Sequence, residues 1–280
     1  MLSRPCLGLR VCWHPRIDFL GGFMVLRASS RSRPAPGPEV NFSEDGRVRH
    51  LHLGTPWIQG SMQMEDPFAI ELEYVQRMMA WLLFHEPPGV PALQAMQLGL
   101  GAASLTKFCA RRLRMRTTAI EINERVIQAC RLWFKLPPPS ARLRIVQADA
   151  ALEIQQVAYL GTVDALQVDL YDHEAAAPVL DSADFYRDCR RLLTDQGIMT
   201  VNLFGRDARF ELSVARMSQA FGESCLWCFS PTREGNTIVL AQREPQRPPR
   251  SVLVQRAHLI ESRWGLPAGK WLRLLRPLVS

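Results

Sequence analysis

The sequence predicts an α/β fold with a Rossmann-like, doubly wound parallel sheet and a small β-element before it. Two observations predict this fold. From Leu93 onward, short apolar runs alternate regularly with stretches of helical spacing. A glycine turn, Leu98–Ser104, follows the first of these runs. Such alternation is typical of a sheet covered by helices on both faces, which binds ligands where its strands end.

The chain before this sheet divides into an extension and a small β-element. Residues 1–40 are basic and rich in Ser, Arg, Pro and Gly toward their end, so they are predicted to be a disordered extension. Residues 41–64 form the predicted β-element. Within it, 47–53 alternates as an edge strand does, and 57–59 is its predicted hairpin partner. Helical spacing then predicts a helix over 68–84.

The main domain is predicted over residues 65–245. Its parallel strands are predicted at 93–98, 116–121, 142–147, 163–169 and 196–203. Its helices are predicted at 104–114, 123–134, 149–158, 182–193 and 207–220. A closing antiparallel pair is predicted at 221–230 and 237–242. Residues 246–280 form a predicted basic tail of one or two amphipathic helices, with a break at 265–267.

Charge and composition narrow the class of protein. The chain has 280 residues, a hydrophobic content of 47% and a net charge of +7. The excess positive charge lies in the two ends, so the central region is mildly acidic. Because phosphate binding needs clustered Lys and Arg around a site, we expect no nucleic-acid partner.

Cysteine usage and hydropathy indicate the compartment. The seven cysteines are scattered without a disulfide framework, which predicts a reducing environment and a cytoplasmic protein. The pair Cys225 and Cys228 lies in an apolar run, which favours core cysteines, and no metal site is predicted. No secretory signal or membrane span is predicted, and hence no membrane partner.

The glycine turn predicts a nucleoside-binding site. Gly99 and Gly101 let the backbone approach a ligand, and the helix that follows adds free N–H groups at its start. Glu121 ends the next strand, 22 residues beyond Gly99, where an acid accepts hydrogen bonds from a ribose diol. Ser104 replaces the third glycine of a dinucleotide motif, which favours a smaller ligand such as S-adenosylmethionine. The alternative is a plain helix-entry turn with a solvent-facing glutamate.

Three further acids stand where predicted strands end. Asp149, after the third strand, is placed to accept from an adenine amino group. Asp169 and Asp172 follow the fourth strand, beside the expected reactive end of an adenosyl ligand. Two carboxylates at this spacing can hold an amine and take its proton. The alternative for this pair is a structural turn.

From about Val40 to Gln242, the chain resembles the spermidine/spermine synthases, the polyamine aminopropyltransferases. The resemblance is carried by the turn at 98–104, by the four acids at the strand ends, and by Phe185-Tyr186 before a helix. It implies the sheet of class I adenosylmethionine-dependent transferases, which the predicted closing strand pair also fits.

The resemblance implies aminopropyl transfer from decarboxylated S-adenosylmethionine to a small-molecule amine such as putrescine, with release of methylthioadenosine. Asp169 would deprotonate the amine and Asp172 would help to hold it. Gly99, Gly101, Glu121, Asp149 and Gln59 would bind the donor, which is a co-substrate, so that no tightly bound cofactor is expected. The resemblance also implies that this protein forms a homodimer.

The chain departs from the family in two places. Ala102 stands where the family has an aspartate that holds the donor amino group. The family's Tyr-His-Glu motif is aligned with Ile70-Glu71-Leu72, which predicts that its tyrosine and histidine are absent and that Glu71 takes over as an amine holder.

Two other functions remain open at this point. The first is an S-adenosylmethionine methyltransferase, for which Ala102 would make room, although Asp169 and Asp172 would repel the donor carboxylate. The second is a nucleoside-binding module without catalysis, against which the retained Asp169 argues.

Overall fold

The computed structural model describes residues 39–171, 180–204 and 208–279. An eight-stranded mixed sheet with flanking helices forms the main body, and a separate three-stranded antiparallel sheet precedes it. The predicted fold class, a Rossmann-like sheet with a small N-terminal β-element, is confirmed.

The small sheet has a different arrangement from the predicted hairpin. Its strands are β1 (Val40–Asp45), β2 (Val48–Leu53) and β3 (Gly60–Gln63). They lie in the order β1-β2-β3, so β2 is central and the prediction of an edge strand is wrong. The predicted partner at 57–59 is also wrong, because the register pairs Leu51 with Gly60 and leaves 54–59 as a loop.

The single helix predicted over 68–84 is wrong in part. The structure has a short α1 (Glu73–Arg77), then a 3₁₀-helix (Ala80–Phe84) and a second one (Pro87–Ala92). A recurrence of apolar residues at i and i+3 fits a 3₁₀-helix as well as an α-helix, so the pattern did not separate the two.

The five predicted parallel strands are confirmed. They are β4 (Gln94–Leu98), β5 (Arg116–Glu121), β6 (Leu143–Gln147), β7 (Val163–Val168) and β8 (Leu193–Phe204). The antiparallel strands are β9 (Leu226–Phe229), β10 (Asn236–Gln242) and β11 (Leu275–Pro277). The closing pair β9 and β10 was predicted, whereas β11 was not.

The order across the sheet is β6-β5-β4-β7-β8-β10-β9-β11. From β4 the chain proceeds to one side through β5 and β6, and then to the other side through β7 and β8. A parallel sheet that reverses in this way leaves a crevice between the carboxyl ends of the two central strands, here β4 and β7.

Helices cover both faces of the sheet. They are α2 (Ser104–Lys107, continued by a π-helix over Phe108–Arg112), α3 (Glu124–Trp133), α4 (Ala150–Glu153), α5 (Ala183–Leu192), α6 (Ala208–Phe221), α7 (Arg250–Trp264) and α8 (Ala268–Leu274). Short 3₁₀ turns lie at Val157–Tyr159 and Glu223–Cys225. The predicted helices are confirmed, although the one at 149–158 is reduced to α4 and the first of these turns.

The core lies on the two sides of the sheet. On one side Leu166 and Met199 pack with Tyr186 of α5. On the other side Trp81 and Trp271, both buried, lie in one cluster, so the C-terminal helices pack on the main body. The packed centre of the sheet therefore positions the strand ends, which carry the candidate site.

Candidate active site

The glycine turn is bonded to the ends of both neighbouring strands. The Gly99 N–H donates to the Ile120 carbonyl (2.9 Å), and the Asp169 N–H donates to the Leu98 carbonyl (3.0 Å). Gly99 has φ +86°, and a Cβ there would lie 2.2 Å from the Asp169 carbonyl oxygen. Only glycine allows this approach, which brings the turn directly against the exit of β7.

The small sheet lies against the other side of the turn. Gly101 has φ +50°, and a Cβ there would lie 2.8 Å from the Gln59 carbonyl oxygen. The Gln59 N–H in turn donates to Leu51 of β2 (2.8 Å). A Cβ on Gly60 would lie 2.6 Å from the Ala102 nitrogen, and Ala102 is buried. The segment before β3 therefore covers the turn, and position 102 faces that segment.

Glu121 is tied to the turn by backbone hydrogen bonds. Its Oε2 accepts from the Leu100 N–H (2.9 Å), and its Oε1 accepts from the Asn123 N–H (2.8 Å). Burial raises the pKa of Glu121, and the backbone N–H groups partly oppose this rise. A carboxylate has about four acceptor sites, so Glu121 can still accept from a ligand. The Glu121 carboxylate thus contacts the turn, and Ile122, 67% exposed, offers an apolar surface beside it.

Asp149 lies at the same edge, one strand further out. The Ala148 N–H donates to the Glu121 carbonyl (3.1 Å), which joins the ends of β5 and β6. Asp149 is exposed and its Oδ1 caps α4 by accepting from the Ala151 N–H (2.9 Å). This cap uses one carboxylate oxygen, so the other can face a ligand.

Asp169 is held by two side chains from distant parts of the chain. Its Oδ1 accepts from the Asn202 amide nitrogen (2.9 Å), and its Oδ2 accepts from the Tyr74 hydroxyl (3.3 Å). Burial raises the pKa of Asp169, and these two hydrogen bonds oppose the rise without cancelling it. Burial, together with the charge of Asp169, also raises the pKa of Tyr74, so the phenol stays protonated and donates.

Two residues of this site were missing from the sequence analysis. Tyr74, on α1, contacts Asp169 and lies four residues beyond the position aligned with the tyrosine of the family motif. Asn202 was not a predicted site residue, and its side chain contacts Asp169. The tyrosine could have been found by allowing the motif to shift along the chain. No local pattern marks the partner of Asn202, which is Asn236 at 3.0 Å.

Asp172, the second acid of the predicted Asp169 and Asp172 pair, lies outside the described residues. Tyr171, which precedes it, donates its hydroxyl to the Asn202 carbonyl (2.9 Å). On the far side of the gap, Asp181 accepts from Tyr186 (2.8 Å) and pairs with Arg216 (2.6 Å). Glu71 contacts Gln63, whose amide nitrogen donates to its Oε2 (2.6 Å).

The described part of the chain contains neither a metal site nor a helix that could cross a membrane. Within residues 39–171, 180–204 and 208–279, no group of three His, Cys, Asp or Glu side chains could hold a metal ion. No helix in these ranges is long and apolar enough to cross a membrane.

The fold and the site together define a Rossmann-like transferase, and comparison with known proteins identifies its family. No family model matches the chain. A polyamine aminopropyltransferase of Chromobacterium violaceum is 34% identical over 250 residues, which cover 88% of this chain and 93% of the relative. A polyamine aminopropyltransferase of Neisseria meningitidis serogroup A is 33% identical over 250 residues, which again cover 88% of this chain and 93% of the relative. The chain belongs to the polyamine aminopropyltransferase family.

Solved structures show the same fold. A probable spermidine synthase from Corynebacterium glutamicum matches with a TM-score of 0.64 and 18% identity, covering 84% of this chain and 90% of that one. Human methyltransferase-like protein 13 in complex with SAH matches with a TM-score of 0.60 and 23% identity, covering 69% of this chain and 92% of that one. At these identities the likeness concerns the fold alone.

Proposed function

We propose that this protein transfers an aminopropyl group from decarboxylated S-adenosylmethionine to an amine such as putrescine and releases methylthioadenosine. The observation that carries the proposal is Asp169, whose backbone lies against the glycine turn and whose carboxylate is held by Tyr74 and Asn202. A carboxylate in this place can serve as a general base beside the reactive end of an adenosyl ligand. The family relatives carry the same activity in their names.

The outer strands bind the nucleoside in this proposal. Glu121 accepts hydrogen bonds from the ribose diol through lone pairs that Leu100 and Asn123 leave unused. Asp149 accepts from the adenine amino group, and Ile122 covers one face of the base. Gly99 and Gly101 let the turn approach the donor, and Gln59 closes the site from the small sheet.

The central strand ends carry out the transfer. Asp169 takes a proton from the acceptor ammonium, and Asp172 helps to hold the same amine. The freed nitrogen attacks the carbon next to the sulfonium, a new C–N bond forms, and the C–S bond breaks with its electron pair moving to sulfur. The products are the extended amine and the neutral thioether methylthioadenosine. A raised pKa makes Asp169 a stronger base than an ordinary aspartate.

Methyl transfer from intact S-adenosylmethionine is the second candidate, and the human relative in complex with SAH favours it only at the level of the fold. Ala102 gives this candidate little support, because its side chain is buried against Gly60 and adds no space for a carboxylate. The carboxylate of the intact donor would also face Asp169. A cytoplasmic location, which rests on the scattered cysteines, and a homodimer, which rests on the family alone, complete our proposal.

The proposal is tested by calorimetric titration with decarboxylated S-adenosylmethionine, intact S-adenosylmethionine and methylthioadenosine, followed by product analysis after putrescine is added. We expect tighter binding of the decarboxylated donor and formation of methylthioadenosine. Preference for the intact donor with S-adenosylhomocysteine as product would make the protein a methyltransferase. Binding without any product would leave a nucleoside-binding module.

A further inference from the structure

The Asn202 side chain connects Asp169 to a second asparagine. Asn202 lies near the end of β8 and is 4% exposed. Its amide nitrogen donates to Asp169 Oδ1 (2.9 Å), while its amide oxygen accepts from the Asn236 amide nitrogen (3.0 Å). Its backbone carbonyl accepts from the Tyr171 hydroxyl (2.9 Å). Both ends of the amide are therefore occupied.

The direction of these bonds depends on Asn236. An asparagine amide has a donor end and an acceptor end, and it can turn so that the two exchange places. Because Asn236 presents an N–H to Asn202, the Asn202 oxygen faces Asn236 and its nitrogen faces Asp169. With the opposite orientation, a carbonyl lone pair would face the Asp169 carboxylate, which is repulsive.

The backbone of Asn236 is itself fixed by the turn before β10. Its N–H donates to the Thr232 hydroxyl (3.1 Å), and its carbonyl accepts from the Thr232 N–H (2.8 Å). Thr232 is 1% exposed. The turn thus places Asn236 where its amide nitrogen donates to the Asn202 oxygen.

We propose that Asn236 is a positioning residue for the transfer reaction: by fixing the Asn202 amide, it keeps Asp169 ionised, with Oδ2 beside Tyr74 available for the acceptor amine. The inference rests on the proposed function, in which Asp169 is the base. Asn236 makes no contact with Asp169 of its own and acts through Asn202.

The other groups that face Asp169 in the described chain stay neutral. Tyr74 reaches it from α1 and Tyr171 from the exit of β7, and burial raises the pKa of both phenols. Asp181, which lies near Tyr171, is paired with Arg216 at 2.6 Å. The hydrogen-bond direction that Asn236 sets at the Asn202 amide therefore acts on the Asp169 carboxylate separately from these phenols and from the Asp181–Arg216 pair.

The test compares Asn236→Asp with Asn236→Leu. An introduced carboxylate only accepts, so the Asn202 amide turns its nitrogen away from Asp169 and its oxygen toward it. The pKa of Asp169 then rises, and the acidic limb of the pH profile of kcat moves up by about one pH unit. The donor KM stays within about twofold. Leucine leaves the amide free to turn, so the shift has the same sign and is smaller.

A double variant separates positioning from a direct effect of the added charge. If Asn236 acts through Asn202, then Asn236→Asp adds little further shift in an Asn202→Leu background. An equal shift in both backgrounds would overturn the proposal, as would an unchanged acidic limb in Asn236→Asp. Thermal unfolding shows whether each variant is folded. If Asn236→Asp does not fold, Asn236→Leu is compared with the wild type in its place.

A measurement without turnover distinguishes this inference from the proposed function. Carbon-13 NMR of the labelled aspartate carboxyls, assigned with Asp169→Asn, reports the pKa of Asp169 directly. If the wild type forms no methylthioadenosine, the proposed function fails. The positioning role is still decided by whether that pKa rises in Asn236→Asp, and an unchanged value would refute it.

Discussion

The two halves of the site are built in different ways. On the side that we propose binds the nucleoside, Glu121 contacts the backbone of Leu100, 21 residues earlier in the glycine turn. On the side that we propose carries the reaction, Asp169 contacts Tyr74, 95 residues away, and Asn202, 33 residues away. The first half is a property of consecutive β-α units, and the second exists only after the sheet, α1 and β10 have come together. We therefore expect changes on the first side to alter binding and changes on the second to alter rate.

Asp169→Asn has the largest expected effect. An asparagine cannot accept the proton of the acceptor amine, so kcat should fall by about 10²–10⁴-fold. Calorimetric binding of methylthioadenosine, which has no amino group to place near residue 169, should change by less than about threefold. A fall in kcat below tenfold would show that another group is the base.

The same variant has a predicted effect on stability. Burial raises the folded-state pKa of Asp169 above its unfolded value, so the ionised carboxylate destabilises the fold above the ordinary aspartate pKa. The asparagine variant should therefore gain stability relative to the wild type as pH rises through this window. Below the ordinary pKa of an aspartate, the extra stability of the asparagine variant should vanish. Denaturant unfolding from acidic to neutral pH measures both.

Gly99→Ala should affect both halves, because Gly99 touches the Asp169 backbone. A side chain at positive φ costs about 1–2 kcal/mol, and the contact at 2.2 Å adds to this. Gly265→Ala is the matched control, since Gly265 has φ +71° but no atom within 4 Å of its added Cβ. Urea unfolding should show a clearly larger loss for Gly99→Ala; equal losses would mean that the turn can move away from β7.

Glu121→Gln should weaken binding and leave the rate at saturation almost unchanged. A glutamine has one acceptor oxygen, so its amide nitrogen would face either the Leu100 or the Asn123 N–H. Losing a charge-assisted bond of about 1.5–3 kcal/mol predicts a Kd for methylthioadenosine roughly 10–100-fold higher. Glu124→Gln, at the first residue of α3 and exposed, is the control. A large fall in kcat with an unchanged Kd would contradict the division between the halves.

Tyr74→Phe has the smallest expected effect. The phenol donates to Asp169 Oδ2 and so stabilises the ionised carboxylate. Without it the pKa of Asp169 rises, and the acidic limb of the kcat profile should move to higher pH by several tenths of a unit, since a hydrogen bond as long as 3.3 Å contributes about 0.5–1.5 kcal/mol. Donor Kd should not move. A shift to lower pH would mean that Tyr74 does not donate to this carboxylate.

The same contrast explains what could be predicted from the sequence. The parallel strands and the position of Glu121 at the end of β5 follow from periodicity and from strand–turn–helix geometry, which are local. Tyr74 was missed because its contact with Asp169 joins residues 95 positions apart, and because the family motif was aligned with residues 70–72. Asn236 could not be found, because its contact with Asn202 depends on the antiparallel pairing of β10 with β8.

The N-terminal sheet was misjudged for a related reason. Alternation in 47–53 marks a strand but not its neighbours, and β2 acquires a partner on each side only in the folded sheet. The buried position of Ala102 depends in the same way on Gly60. Contacts between separate elements thus decide the specificity of this site, while its location is set by local pattern.

The most direct test offers wild type and Asp169→Asn an equimolar mixture of decarboxylated and intact S-adenosylmethionine with putrescine, and identifies the products. We predict methylthioadenosine from the wild type and at least about a hundredfold less from the variant. S-adenosylhomocysteine as the main product, or equal methylthioadenosine from both proteins, would contradict an aminopropyl transfer in which Asp169 is the base.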